Sequence, residues 1–169
     1  MIDTNKMEIL LMNYFDIRRN LIVPCVTDRS DLTFFEIDLL VLSESKYATG
    51  IEIKVSKSDL QNDLNKKHIK KINEILPTGG TYLHHYFKNL KYFYYAVPEE
   101  LKEDTLNQIP GWAGLLIAKK YVDEYHITEI RKPKLLFNTK WTDEMRYQLA
   151  RLGTMRILTL KEKLDKICI

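Results

Sequence analysis

Glu52 and Lys54 stand two residues apart in one apolar run, and Asp38 precedes them in another. On an extended chain successive side chains point to opposite faces, so Glu52 and Lys54 project together while Ile51, Ile53 and Val55 project from the other side. Glu-x-Lys on a half-exposed strand is common, and taken alone its plain explanation is a solvated face. Asp38 changes the weight of that pair. In the run 34–42 it shares parity with Phe34, Leu40 and Leu42, while Phe35, Ile37, Leu39 and Val41 are all apolar. A strand apolar on both faces is usually central and covered on both sides. A lone carboxylate there is costly unless it is paired, hydrogen-bonded or bound to a cation. The bland alternative is an Asp38 at a strand end, solvated or held by an arginine.

A hairpin between residues 38 and 52 would bring the two carboxylates to the same end of adjacent strands. Hard oxygen ligands that converge with water and phosphate suit Mg²⁺ or Mn²⁺ rather than zinc. The chemistry such a set could perform is metal-assisted phosphodiester hydrolysis. Asp38, Glu52 and the Ile53 main-chain carbonyl would hold the ion, which polarises the phosphate and helps ionise the attacking water. Lys54 would orient that water or offset charge developing on phosphorus. Alanine at Asp38, Glu52 or Lys54 is then expected to abolish cleavage and leave the fold intact.

These residues need a sheet to position them. A first helix is expected from Asn5, as N-cap with Glu8 three residues on, to about Arg19. Leu21–Val26 reads as an edge or first strand, Thr33–Leu42 as a second, and Ser43–Lys46 as the turn into an antiparallel partner, Ala48–Val55. Ser56 and Asp59 form a capping box for a helix bearing Leu60, Leu64, Ile69, Ile72 and Leu76, stopped by Pro77. Lys91–Val97 is an aromatic-rich strand, Pro98 opens a helix to about Gln108, and Trp112–Ala118 returns at the length of a right-handed parallel crossover. Tyr125–Ile130 alternates as a further strand. From Thr142 two helical stripes follow, Met145, Leu149 and Leu152, then Ile157, Leu160, Leu164 and Ile167, with Gly153 marking a break between two helices. The fold class is α/β: one domain over residues 1–169, with helices on a central mixed sheet, a core of about 5–130 and a helical C-terminal extension of about 142–169.

With that layout in place, the order helix, strand, Asp38, hairpin, Glu52-Ile53-Lys54, helix resembles the PD-(D/E)XK nuclease superfamily. The run Gly50–Leu60 with Asp63, followed by Tyr95-Ala96-Val97-Pro98, is similar to MmcB-like DNA-repair proteins. The likeness covers about residues 20–118, and Ile37 stands where the superfamily's name places proline. It implies a restriction-endonuclease-like core, Mg²⁺ or Mn²⁺ as cofactor, DNA as substrate, and a role in repair or recombination. The superfamily often adds a glutamate from its first helix. Glu8 is the candidate, since it shares a helical face with Leu11, Met12 and Phe15, although a capping acid explains it more plainly. The alternative for the whole chain is a catalytically weak or inactive DNA-binding or partner-docking module on the same scaffold. Many nucleases that cut both strands act as dimers, so a homodimer is one partner expectation and a repair or replication protein another.

Other features carry less. Lys57, Lys66, Lys67, Lys70 and Lys71, with His68, could contact phosphates, though a charge run is more often a solvated helix face. Arg146, Arg151, Arg156 and Lys161 could extend such a basic track. Adjacent His84 and His85 lack the neighbours of a metal site, and the aromatics Tyr92–Tyr95 suit burial better than base stacking. The net charge of +3 permits nucleic-acid binding without arguing for it. The chain has two distant cysteines, Cys25 and Cys168, and 45% hydrophobic and 29% charged residues. The opening run reads as neither signal peptide nor anchor. Together these lead to the expectation of a reduced, cytoplasmic protein with no membrane span.

Overall fold

Asp3, not Asn5, opens the first helix: its side chain accepts from the Lys6 N–H at 2.7 Å. Both are good cap types. The choice that buries Met7 and Leu11 against the sheet prevails. This helix, α1 (Thr4–Tyr14), ends short of Arg19 because Asp16 turns left-handed, φ 52°, and the Asn20 side chain donates to the Phe15 carbonyl. The computed structural model of the protein describes residues 2–27, 32–33, 35–64, 87 and 89–167. The expected helical residues Ile69, Ile72 and Leu76, Pro77, the lysines 66–71, His68 and the pair His84-His85 lie outside them.

Among the described residues six strands follow: β1 (Leu21–Val26), β2 (Ile37–Leu42), β3 (Ala48–Ile53), β4 (Tyr92–Pro98), β5 (Gly114–Tyr121) and β6 (Glu124–Arg131). They lie in chain order in one mixed sheet. The pairs β1–β2, β2–β3 and β5–β6 are antiparallel, whereas β3–β4 and β4–β5 are parallel. β2 is shorter than its apolar run because its ladder with β1 stops at Val26↔Ile37. β3 stops at Ile53, where the Lys54 N–H turns to the Ala96 carbonyl. Between them Lys46, φ 67°, closes the hairpin. The Ser56 hydroxyl accepts from the Asp59 N–H at 3.1 Å and caps α2 (Lys57–Leu64), as the sequence predicts. A short 3₁₀ turn, Glu99–Leu101, and α3 (Lys102–Gln108) form the crossover between β4 and β5.

The sheet has a core on each face. On one, Val23, Leu40, Leu42, Phe93, Tyr95, Leu115 and Ile117 pack with Leu60 of α2. On the other, Leu39, Val41, Ile51, Ile53, Ala96 and Leu116 lie beneath α1. Phe35, Phe87, Phe93, Tyr95 and Trp112 meet edge-on within the first core, so that part of the aromatic run serves packing. Strict alternation fails at Asp38. Ile37 belongs to the first core although Leu39, of the same parity, belongs to the second. The expectation that the odd residues form one face across Asp38 is therefore corrected.

The two expected C-terminal helices are one, α4 (Asp143–Ile167). Gly153 does not break it. A Cβ there would stand 3.3 Å from Val23 Cγ2, so glycine lets α4 approach β1. Leu149 is buried, while residues 157–165 are exposed. The irregular stretch 132–142 is stitched down on its way to α4. Lys134 donates to the Trp112 carbonyl, Leu136 to Lys91, and the Trp141 main chain to Lys46, while the Trp141 indole N–H reaches the Asn89 carbonyl at 2.6 Å. Among the described residues no helix is long and apolar enough to cross a membrane. Truncating Trp141, 2% exposed, to alanine is expected to cost about 3–5 kcal/mol in urea unfolding. Leu164→Ala, at a position 62% exposed, should stay within about 0.5 kcal/mol.

Candidate active site

The β2–β3 ladder has its last rung at Leu39↔Ile51, and beyond it the two strands part. Continuing that register sets Asp38 opposite Glu52. Alternate residues of an antiparallel strand turn both N–H and C=O toward the partner, so the next group facing β2 is the Ile53 N–H. In place of a ladder carbonyl it finds the Asp38 carboxylate, at 2.8 Å. Lys54 stands one residue past the strand end. Its ammonium donates to Glu52 Oε2 at 2.8 Å and to Asp38 Oδ2 at 3.4 Å. The side chains of Glu52 and Lys54 are each 6% exposed, and that of Asp38 is 33% exposed. The structure thus brings Asp38, Glu52 and Lys54 together, with one buried ammonium between two acids and an opening to solvent on the Asp38 side.

Glu8, on α1, is the remaining acid proposed from sequence. Capping by Asp3 removes the capping-box explanation for it, since the box acid would fall at Lys6. Its carboxyl is pushed above its ordinary value of 4.5, first by burial and then by the negative charge of Asp38. Glu8 therefore lies within electrostatic reach of the pair. Among the described residues no three His, Cys, Asp or Glu side chains converge as a metal cage.

The donor set fits a hard divalent cation: two carboxylates from adjacent strands, and the Ile53 carbonyl, which an extended residue directs to the same edge as its N–H. Formally, two carboxylates against one ammonium leave an excess of negative charge for such an ion. Lys57, proposed from sequence as a phosphate contact, pairs with Asp104 at 2.9 Å, with both side chains partly exposed. A surface groove of about 480 Å³ lies elsewhere, lined by Lys6, Tyr14, Glu124 and His126 among others; none of the trio lines it. Sequence reading missed the Asp38–Ile53 hydrogen bond and the proximity of Cys25 and Arg156 to this rim. Pro24 within a strand marks β1 as an edge, and was the available hint.

The burial of Glu52 and Lys54 revises the expectation that truncating either leaves the fold untouched. Removing one member takes an ion-pair partner from a buried charge. Lys54→Met is expected to cost about 3–5 kcal/mol in urea unfolding at neutral pH, with Glu52→Gln added to it recovering much of the loss. For Glu8 the sign runs the other way. A carboxyl raised by folding carries a penalty once ionised, absent well below 4.5 and fully present above its folded value. Glu8→Gln should therefore raise the melting temperature at pH 7 and leave it unchanged at pH 3.

Comparison with known proteins adds the fold and no activity. No family model matches the chain, and no curated protein matches it. Among solved structures, a protein of unknown function from Silicibacter pomeroyi superposes with a TM-score of 0.58 at 19% identity, over 98% of this chain and 92% of that one. At that identity the likeness concerns architecture alone: a six-stranded mixed α/β sheet with helices on its faces.

Proposed function

We propose that the chain is a metal-dependent nuclease with a restriction-endonuclease-like core, hydrolysing phosphodiester bonds in DNA during repair or recombination. The observation that carries this reading is the Lys54 ammonium held between Glu52 and Asp38 where β2 and β3 separate. Mg²⁺ or Mn²⁺, when bound, supplies polarisation of the phosphate and a more acidic water. The chain's own residues do the rest. Asp38 and Glu52 provide hard oxygens from two strands, and the Ile53 N–H fixes one Asp38 oxygen so that the carboxylate approaches already oriented. Lys54 is tethered at its N–H to the Ala96 carbonyl, which aims its ammonium along the pair to stabilise charge gathering on the phosphate oxygens. Burial of Glu52 and Lys54 keeps water from loosening that geometry, while the more open Asp38 leaves a way in for substrate.

The same contact favours a second reading. An ammonium already paired with both acids would suit a DNA-binding or partner-docking module that has kept the scaffold without useful turnover. Calorimetric titration with Mn²⁺ separates the two: uptake that depends on both Asp38 and Glu52 supports the nuclease, and its absence supports the module.

Cleavage of single-stranded, duplex, flapped and branched DNA in Mg²⁺ or Mn²⁺, abolished by chelator, is the expected outcome. The near-isosteric Asp38→Asn and Glu52→Gln should each lower the rate by roughly 10²-fold or more, checked on variants shown to be folded. Undiminished cutting by both would end the assignment.

A further inference from the structure

The C-terminal helix reaches the rim of the carboxylate pair at a point the proposed chemistry leaves unused. Cys25 lies in β1 across from Asp38, between the rungs Pro24↔Leu39 and Val26↔Ile37. Its φ is 52°, the left-handed region, inside a strand. That conformation is sterically costly for a residue bearing a Cβ and persists where the surroundings hold it. Among the described residues β1 is an edge strand, with β2 as its ladder partner. The further restraint comes from α4. The Arg156 guanidinium, one turn past the close approach of Gly153 to Val23, donates through Nη2 to the Cys25 carbonyl. The Cys25 thiol meanwhile donates to Glu36 Oε1 at 3.4 Å.

We infer that Arg156 is a positioning residue: from the C-terminal helix it holds the left-handed turn of β1 at Cys25, and thereby sets the Asp38 carboxylate against the Ile53 N–H and the Lys54 ammonium. The slip in alternation at Asp38 follows from this arrangement, because the strand it faces carries its irregular residue at the same level. The functional meaning of the inference rests on the nuclease reading, whereas its geometry does not.

The Ile53 amide reports the position of Asp38 directly, because its hydrogen-bond acceptor is that carboxylate. Hydrogen exchange on the full chain is compared for wild type, Arg156→Leu (which keeps an apolar stem), Arg156→Ala and Arg156→Lys. Exchange at Ile53 is expected to quicken about five- to tenfold in the Leu and Ala variants, the worth of about one hydrogen bond, with Tyr95 and Leu116 unchanged. Lysine, which can still donate to the carbonyl, should restore most of the protection. Unchanged exchange at Ile53 in the Leu variant would overturn the inference. So would an equal acceleration at all three amides, the mark of general loosening. Mn²⁺ titration of the same proteins keeps the two readings apart: a wild type that takes no Mn²⁺ counts against the nuclease, while the Ile53 result still decides the role of Arg156.

Discussion

An ammonium group buried between two carboxylates is the constraint around which the sheet is arranged. Glu52 and Lys54, each 6% exposed, are buried as an ion pair, and an unpaired charge in that setting costs several kcal/mol. Two residues apart at the end of β3, they project from one face of the chain while the Lys54 N–H still bonds to the Ala96 carbonyl of β4. Asp38 enters because β2 and β3 have parted, which frees an N–H that needs an acceptor. Strand separation, acid pair and buried lysine are in this sense one feature.

Much of this was legible in the chain. Period-two parity placed Glu52 and Lys54 on one side, and the short Ser43–Lys46 turn forced the antiparallel hairpin that brings them to Asp38. The length from Lys91 to Ala118 demanded a parallel crossover, and the sheet has one. The failures are equally physical. Alternation assumes a regular strand, and nothing in the letters around Cys25 announces a left-handed residue with a β-carbon. Gly153 read as a helix break because glycine is a poor helix former. Here its lack of a side chain is what the contact with Val23 requires, and the intrahelical hydrogen bonds continue through it.

Glu8 shows how a small local error can hide a longer-range relation. With Asn5 taken as the cap, Glu8 had a sufficient local role. Once Asp3 takes that place, the half-buried acid is left within electrostatic reach of Asp38, on the helix above the second core. Arg156 is a parallel case. By spacing it belongs to a run of exposed basic residues, yet its guanidinium is committed to a main-chain carbonyl beside the acid pair. In both, one contact separated in sequence outweighs the pattern of near neighbours.

The connection 132–142 has no regular structure, and still its main chain and one indole tie together the hairpin turn, the entry to β4 and the entry to β5. Residues 132–149 are therefore a strap and not an appendage. A fragment ending at β6 would expose the cavity where Trp141 and Leu149 sit. Anyone shortening this chain, or fusing another domain to it, should place the junction beyond α4.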